Sequence, residues 1–62
     1  MKIEKLITGC SMLLKKERAQ AYNINTFVTF VRIQERAGYK TPWILGTDST
    51  GSIGHFKPSD FK

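Results

Sequence analysis

Along Asn25 to Glu35 the side chains alternate with period two, so that Phe27, Thr29, Val31 and Ile33 share one side and Val28, Phe30, Arg32 and Gln34 the other. This predicts the central strand of a sheet. Taking the Phe27 side as the inner one leaves Val28 and Phe30 facing out, where the N-terminal segment covers them or they offer an apolar patch to a partner. A second run begins at Trp43 with Ile44, Leu45 and Thr47, residues suited to a half-buried pleated surface. The turn formers Asp48, Ser49, Thr50 and Gly51 follow, with the glycine placed for a positive φ, and Ser52 to Phe56 returns as a third run. Together they read as a hairpin. Pro58 has no N–H to give a ladder and so ends the sheet, and Ser59 to Phe61 has room for one tight helical turn.

Residues 3 to 22 carry two patterns at once. Ile3, Leu6, Ile7, Cys10, Leu13 and Leu14 fall at helical spacing, and Leu13 to Ala21 is rich in helix formers, with Asn23 available as a stop. Leu6, Thr8, Cys10, Met12 and Leu14 alternate instead with period two, and Ile7 to Ser11 makes a poor helix centre. The favoured reading is a strand over residues 3–14 and an irregular or partly helical loop over 15–24. Arg36 to Pro42 is a loop, turned by Gly38.

Trp43, Gly51, Gly54, Phe56, Pro58 and Phe61 together resemble the second half of a Src-homology-three domain. In that family a Trp opens the third strand, a Thr-Gly-x-x-Gly hairpin follows, and a Pro-Ser-x-aromatic turn precedes the last strand. The resemblance extends back to Phe27; the first half does not match, and Pro42 stands where many members carry a further Trp. It implies an all-β fold, a small barrel of about five strands in a single domain over residues 1–62. The alternative is an α+β fold with a helix within residues 3–22 packed on a three-stranded meander.

Composition changes this picture in two ways. At 62 residues the core is small, because a chain this short buries only about 60% of its unfolded surface, so an oligomer or a bound partner is a natural source of further burial. The single Cys excludes an internal disulfide and suits a reducing compartment. Ten Lys and Arg against five Asp and Glu give +5, which favours anionic partners: an acidic protein surface or nucleic acid. Ile7-Thr8-Gly9-Cys10 resembles a lipoprotein cleavage box, but the apolar run before it is far shorter than the roughly 7–15 residues a secretory signal needs. A cytoplasmic, non-membrane protein is the expectation.

Catalysis has little to stand on. His55 has no sequence neighbour with which to form a triad or carboxylate pair, one His plus one Cys is too few for a metal, and Gly51-Ser52-Ile53-Gly54 lacks the Lys and helix of a phosphate loop. No cofactor and no metal is expected, and the chain reads as a binding module rather than an enzyme. In the arrangement the resemblance implies, Tyr39, Trp43, Pro58 and Phe61 gather on the aromatic face that takes extended peptides; the plainer reading makes Trp43 and Phe61 core and lid. The family's ligand-orienting acidic loop is here Lys15-Lys16-Glu17-Arg18, basic instead. Lys15, Lys16 and Arg18, with Arg36 and Lys40, are read as charges that steer a partner or contact phosphates. The first expectation is docking on a larger protein with an acidic or mixed surface, which the chain regulates or inhibits. Nucleic-acid binding, with Tyr22, Tyr39 and Trp43 as stacking platforms, is the alternative.

Overall fold

The turn chemistry around Asp48 sets the sheet. In the computed structural model, which describes residues 3–62, the Asp48 carboxylate accepts hydrogen bonds from the Thr50 N–H (2.8 Å), the Ser52 N–H (3.2 Å) and the Thr50 hydroxyl. The Thr50 hydroxyl above all holds this carboxyl below its usual range. Gly51 supplies the positive φ of 84° that closes the loop. The turn joins β3 (Trp43–Thr47) to β4 (Ile53–Phe56). With β1 (Ser11–Leu13) and β2 (Phe27–Gln34) they make one four-stranded antiparallel sheet in the order β1-β2-β3-β4. The protein is therefore β-rich, as predicted.

Leu14 forms an isolated bridge with Phe61, and the Lys15 N–H donates to the Asp60 carbonyl (2.8 Å) while the Lys62 N–H donates to that of Leu13 (2.9 Å). The chain after β4 thus returns to the far side of β1 by way of a 3₁₀ turn at Pro58–Asp60.

The N-terminal expectation is corrected in extent. Instead of a strand over 3–14, Ile3–Lys5 is a 3₁₀ turn and only Ser11–Leu13 is strand. The glycine explains part of this: Gly9 has φ 93°, outside the extended region. Its N–H nevertheless donates to the Phe30 carbonyl (2.8 Å), and the Phe30 N–H to that of Cys10 (2.8 Å), so the segment already lies against β2. The loop read as partly helical contains α1 (Lys16–Tyr22), which ends at Asn23 in the left-handed region (φ 60°). The strand and the helix are both present, so neither alternative describes residues 3–22 alone.

The inner and outer sides of β2 are also corrected. Val28 and Phe30 are buried in the core, while Phe27 is 62% exposed. The cause is a β-bulge between Phe30 and Arg32: Phe30 pairs with Gly46, Arg32 with Leu45, and Val31 is the extra residue. One inserted residue exchanges the two faces, so the inner positions are Val28 and Phe30 before the bulge and Ile33 after it. Met12, Leu14, Ala19, Ile44, Phe56 and Phe61 complete the buried cluster, and Ile3, Leu6 and Cys10 pack on it. Gly46 faces this core: a Cβ there would lie 2.5 Å from Val28 Cγ1 and 2.8 Å from the Thr29 carbonyl oxygen. A Cβ on its cross-strand partner Gly54 would lie 2.9 Å from the Phe56 ring. The two glycines make room for large neighbours.

Candidate binding groove

β3 begins beside the end of β2, since Trp43 pairs with Gln34, and the loop between them folds back over this end of the sheet. Period two puts Trp43 on the outer side with Leu45, and His55 of β4 pairs with Leu45, which brings the Trp43 and His55 rings edge to face at 5.9 Å. Leu45 is buried on this outer side, away from the main core. Within the loop Arg36 turns back onto the aromatic residues. Its guanidinium carbon is 4.3 Å from the centroid of Tyr39 and 4.5 Å from that of Trp43. Its Nε–H donates to the Thr41 carbonyl (2.7 Å), fixing the plane of the fork. Among the described residues the terminal Nη atoms have no hydrogen-bond or ion-pair partner, and Glu35, which lines the same groove, does not pair with them.

The resulting groove, about 560 Å³, is lined by Glu35, Arg36, Tyr39, Trp43, His55 and Lys57. Arg36 and Lys57 also line the adjoining depression, which contains Thr41, Pro58 and Ser59. Of the aromatic-face residues predicted from the sequence, Tyr39, Trp43 and Pro58 therefore share one continuous surface centred on Arg36. Phe61 does not belong to it. Its ring is 2% exposed and packs edge to face on Phe56 at 5.6 Å, so the plainer reading as core holds for Phe61.

The predicted charges divide as well. Arg18 is already paired: its Nε lies 3.2 Å from Asp60 Oδ1 in an ion pair. Asp60 is the one buried charged residue among those described, and its Oδ2 accepts the Lys57 N–H (2.9 Å) and the Tyr22 hydroxyl (3.4 Å). This carboxylate fastens α1 to the C-terminal turn. Tyr22 also packs edge to face on Phe56 at 4.9 Å, so it has a structural role while staying 43% exposed. Lys15 and Lys16 are exposed at the start of α1, beside the C-terminal turn, and Lys40 is exposed next to Tyr39. The sequence places Arg36 among the diffuse charges and gives His55 no site role; the spacing Arg36–Tyr39–Trp43 is the signal that could have joined Arg36 to the rings.

Among the described residues no group of three His, Cys, Asp or Glu side chains could hold a metal ion, and no helix is long and apolar enough to cross a membrane. The chain matches no protein family, no curated protein and no solved structure.

Proposed function

We propose that this protein is a non-enzymatic binding module that docks on a larger protein with an acidic or mixed surface and regulates or inhibits it by occlusion. The observation that carries this reading is the Arg36–Tyr39–Trp43 cluster in a groove that continues to Lys57 and Pro58. Aromatic and Arg side chains at the centre of a concave, partly desolvated patch are the residue types that dominate protein interfaces. The fold is proposed to be Src-homology-three-like, supported by the four-strand order, the 3₁₀ turn after β4 and the Leu14–Phe61 bridge that ties the chain end to β1. In such an arrangement the loop carrying Lys15 and Lys16 borders the groove, and its basic character fits an acidic ligand. A cytoplasmic setting accompanies this proposal, as the single thiol suits a reducing compartment.

Nucleic-acid binding is the second reading, favoured by the net charge of +5. The rings weigh against it only in part: Tyr39 and Trp43 each have one face against Arg36 and Tyr22 packs edge to face on Phe56, which leaves fewer free faces for bases, though Tyr39 stays 67% exposed. Capture from lysate with and without nuclease separates the two. Docking on a protein survives nuclease and loses about 2 kcal/mol or more on Trp43→Ala. Loss of capture on nuclease treatment, with a log–log salt slope for single strands of roughly −2 to −3 from three to four phosphate contacts, would replace it with the second reading.

A further inference from the structure

Arg36 combines two properties that no other basic side chain shares among the described residues: its guanidinium lies over two aromatic rings, and its outer nitrogens have no partner. An arginine that merely adds positive charge to a surface has many rotamers open to it. Here Tyr39, Trp43 and the Thr41 carbonyl hold the plane, and the Nε–H, which could otherwise turn toward a ligand, is already bonded inward. What remains is a pair of parallel N–H vectors from the two Nη atoms, the geometry that accepts a carboxylate in two hydrogen bonds at once.

We infer that Arg36 is a carboxylate anchor, taking one acidic side chain of a peptide segment of the partner protein, with Tyr39 and Trp43 walling the contact. This deepens the protein-docking reading and rests on it. Two features favour a peptide carboxylate over a nucleic-acid backbone. The groove around Arg36 also contains Glu35, and its neighbouring cations are Lys57 and, in the depression beside Tyr39, Lys40; the Glu35 carboxylate so close to the anchor disfavours a repeating row of negative charges. The guanidinium covers one face of Tyr39 and one of Trp43, which leaves each ring a single face for a base.

The test uses the full chain at low salt, with Trp43 emission as the readout and three probes. These are a blocked peptide rich in Glu, the same peptide with Gln at each Glu position, and single-stranded oligothymidylate. The Glu peptide should give a saturable change, and the Gln peptide should bind at least about tenfold more weakly, since a hydrogen bond to a charged group is worth at least that factor. Arg36→Lys keeps the net charge but loses the planar fork, so it should also weaken the Glu peptide about tenfold while keeping the parent's melting temperature. A Glu peptide bound by Arg36→Lys within about twofold of the parent overturns the anchor and leaves protein docking standing. No saturable change with the Glu peptide overturns the anchor too. If oligothymidylate alone saturates, the docking reading falls with it.

Discussion

The junction of α1 with the C-terminal turn and the loop between β2 and β3 each hold one arginine, and the two are used in opposite ways. Arg18 is bonded to Asp60, a buried carboxylate that also takes the Tyr22 hydroxyl and the Lys57 N–H. Arg36 lies over Tyr39 and Trp43 with its outer nitrogens unpartnered among the described residues. The first end joins two segments distant in sequence; the second presents a fixed cation to the surface. An arginine's neighbours in the chain, Glu17 and Ala19 or Glu35 and Ala37, do not distinguish these roles, because what matters is whether a carboxylate arrives from elsewhere in the fold.

The largest effect should come from breaking the buried end. Asp60→Ala removes two part-buried hydrogen bonds and an ion pair at once, and should lower stability by about 2–3 kcal/mol in urea denaturation followed by Trp43 emission. Arg36→Ala, at the open end, should cost under about 1 kcal/mol, the range of cation–π contacts at exposed sites. Equal losses in the two variants would erase the distinction between a structural and a binding arginine. Arg18→Ala should fall between them, near 1 kcal/mol, since its side chain is 57% exposed while its partner's is 3% exposed.

Next in size is the sheet that both ends share. Gly46→Ala drives a Cβ against Val28 Cγ1 and the Thr29 carbonyl and should cost about 1–3 kcal/mol, seen as a lowered melting temperature. Since Gly46 sits between the two ends, binding by the folded fraction should be unchanged. An Ala variant as stable as the parent would mean that β2 and β3 can separate at the bulge.

How much of this was legible follows from range. The turn at Asp48 and Gly51, the Pro58 turn and the stop at Asn23 are local devices, and their residues announce them. The inner side of β2 was misassigned before the bulge, because nothing in the alternation of Phe27 to Ile33 marks Val31 as an extra residue; only pairing with β3 defines it. Residues 3–14 were read as one strand because Leu6, Thr8, Cys10, Met12 and Leu14 alternate, but Gly9 breaks the extension. At the groove, Tyr39, Trp43 and Pro58 were grouped by the resemblance to Src-homology-three domains, and the residue pattern alone does not join them. For Phe61 the aromatic-face and core readings both stood, because nothing in the local sequence signals the bridge to Leu14 that buries it.

The smallest effect is a difference in pH dependence that belongs to the Asp60 end alone. Burial pushes the Tyr22 phenol above its ordinary value, the charge of Asp60 and the hydrogen bond to it push the same way, and Arg18 opposes them. A pKa raised by folding means that the folded state keeps the proton to higher pH than the unfolded state. The contribution is then fully present below the unfolded value, about 10, and is lost as pH rises past it. Tyr22→Phe keeps the ring against Phe56 and removes only the hydroxyl, whose bond to Asp60 is long at 3.4 Å, so at neutral pH it should cost under about 1 kcal/mol. Above about pH 10 the parent should lose stability more steeply than Tyr22→Phe, with the Lys titrations common to both cancelling in the difference. Parallel curves for the two proteins across that range would show that neither burial nor Asp60 sets this phenol apart from an unfolded tyrosine, and would leave Arg18 as the side chain of α1 that the carboxylate holds.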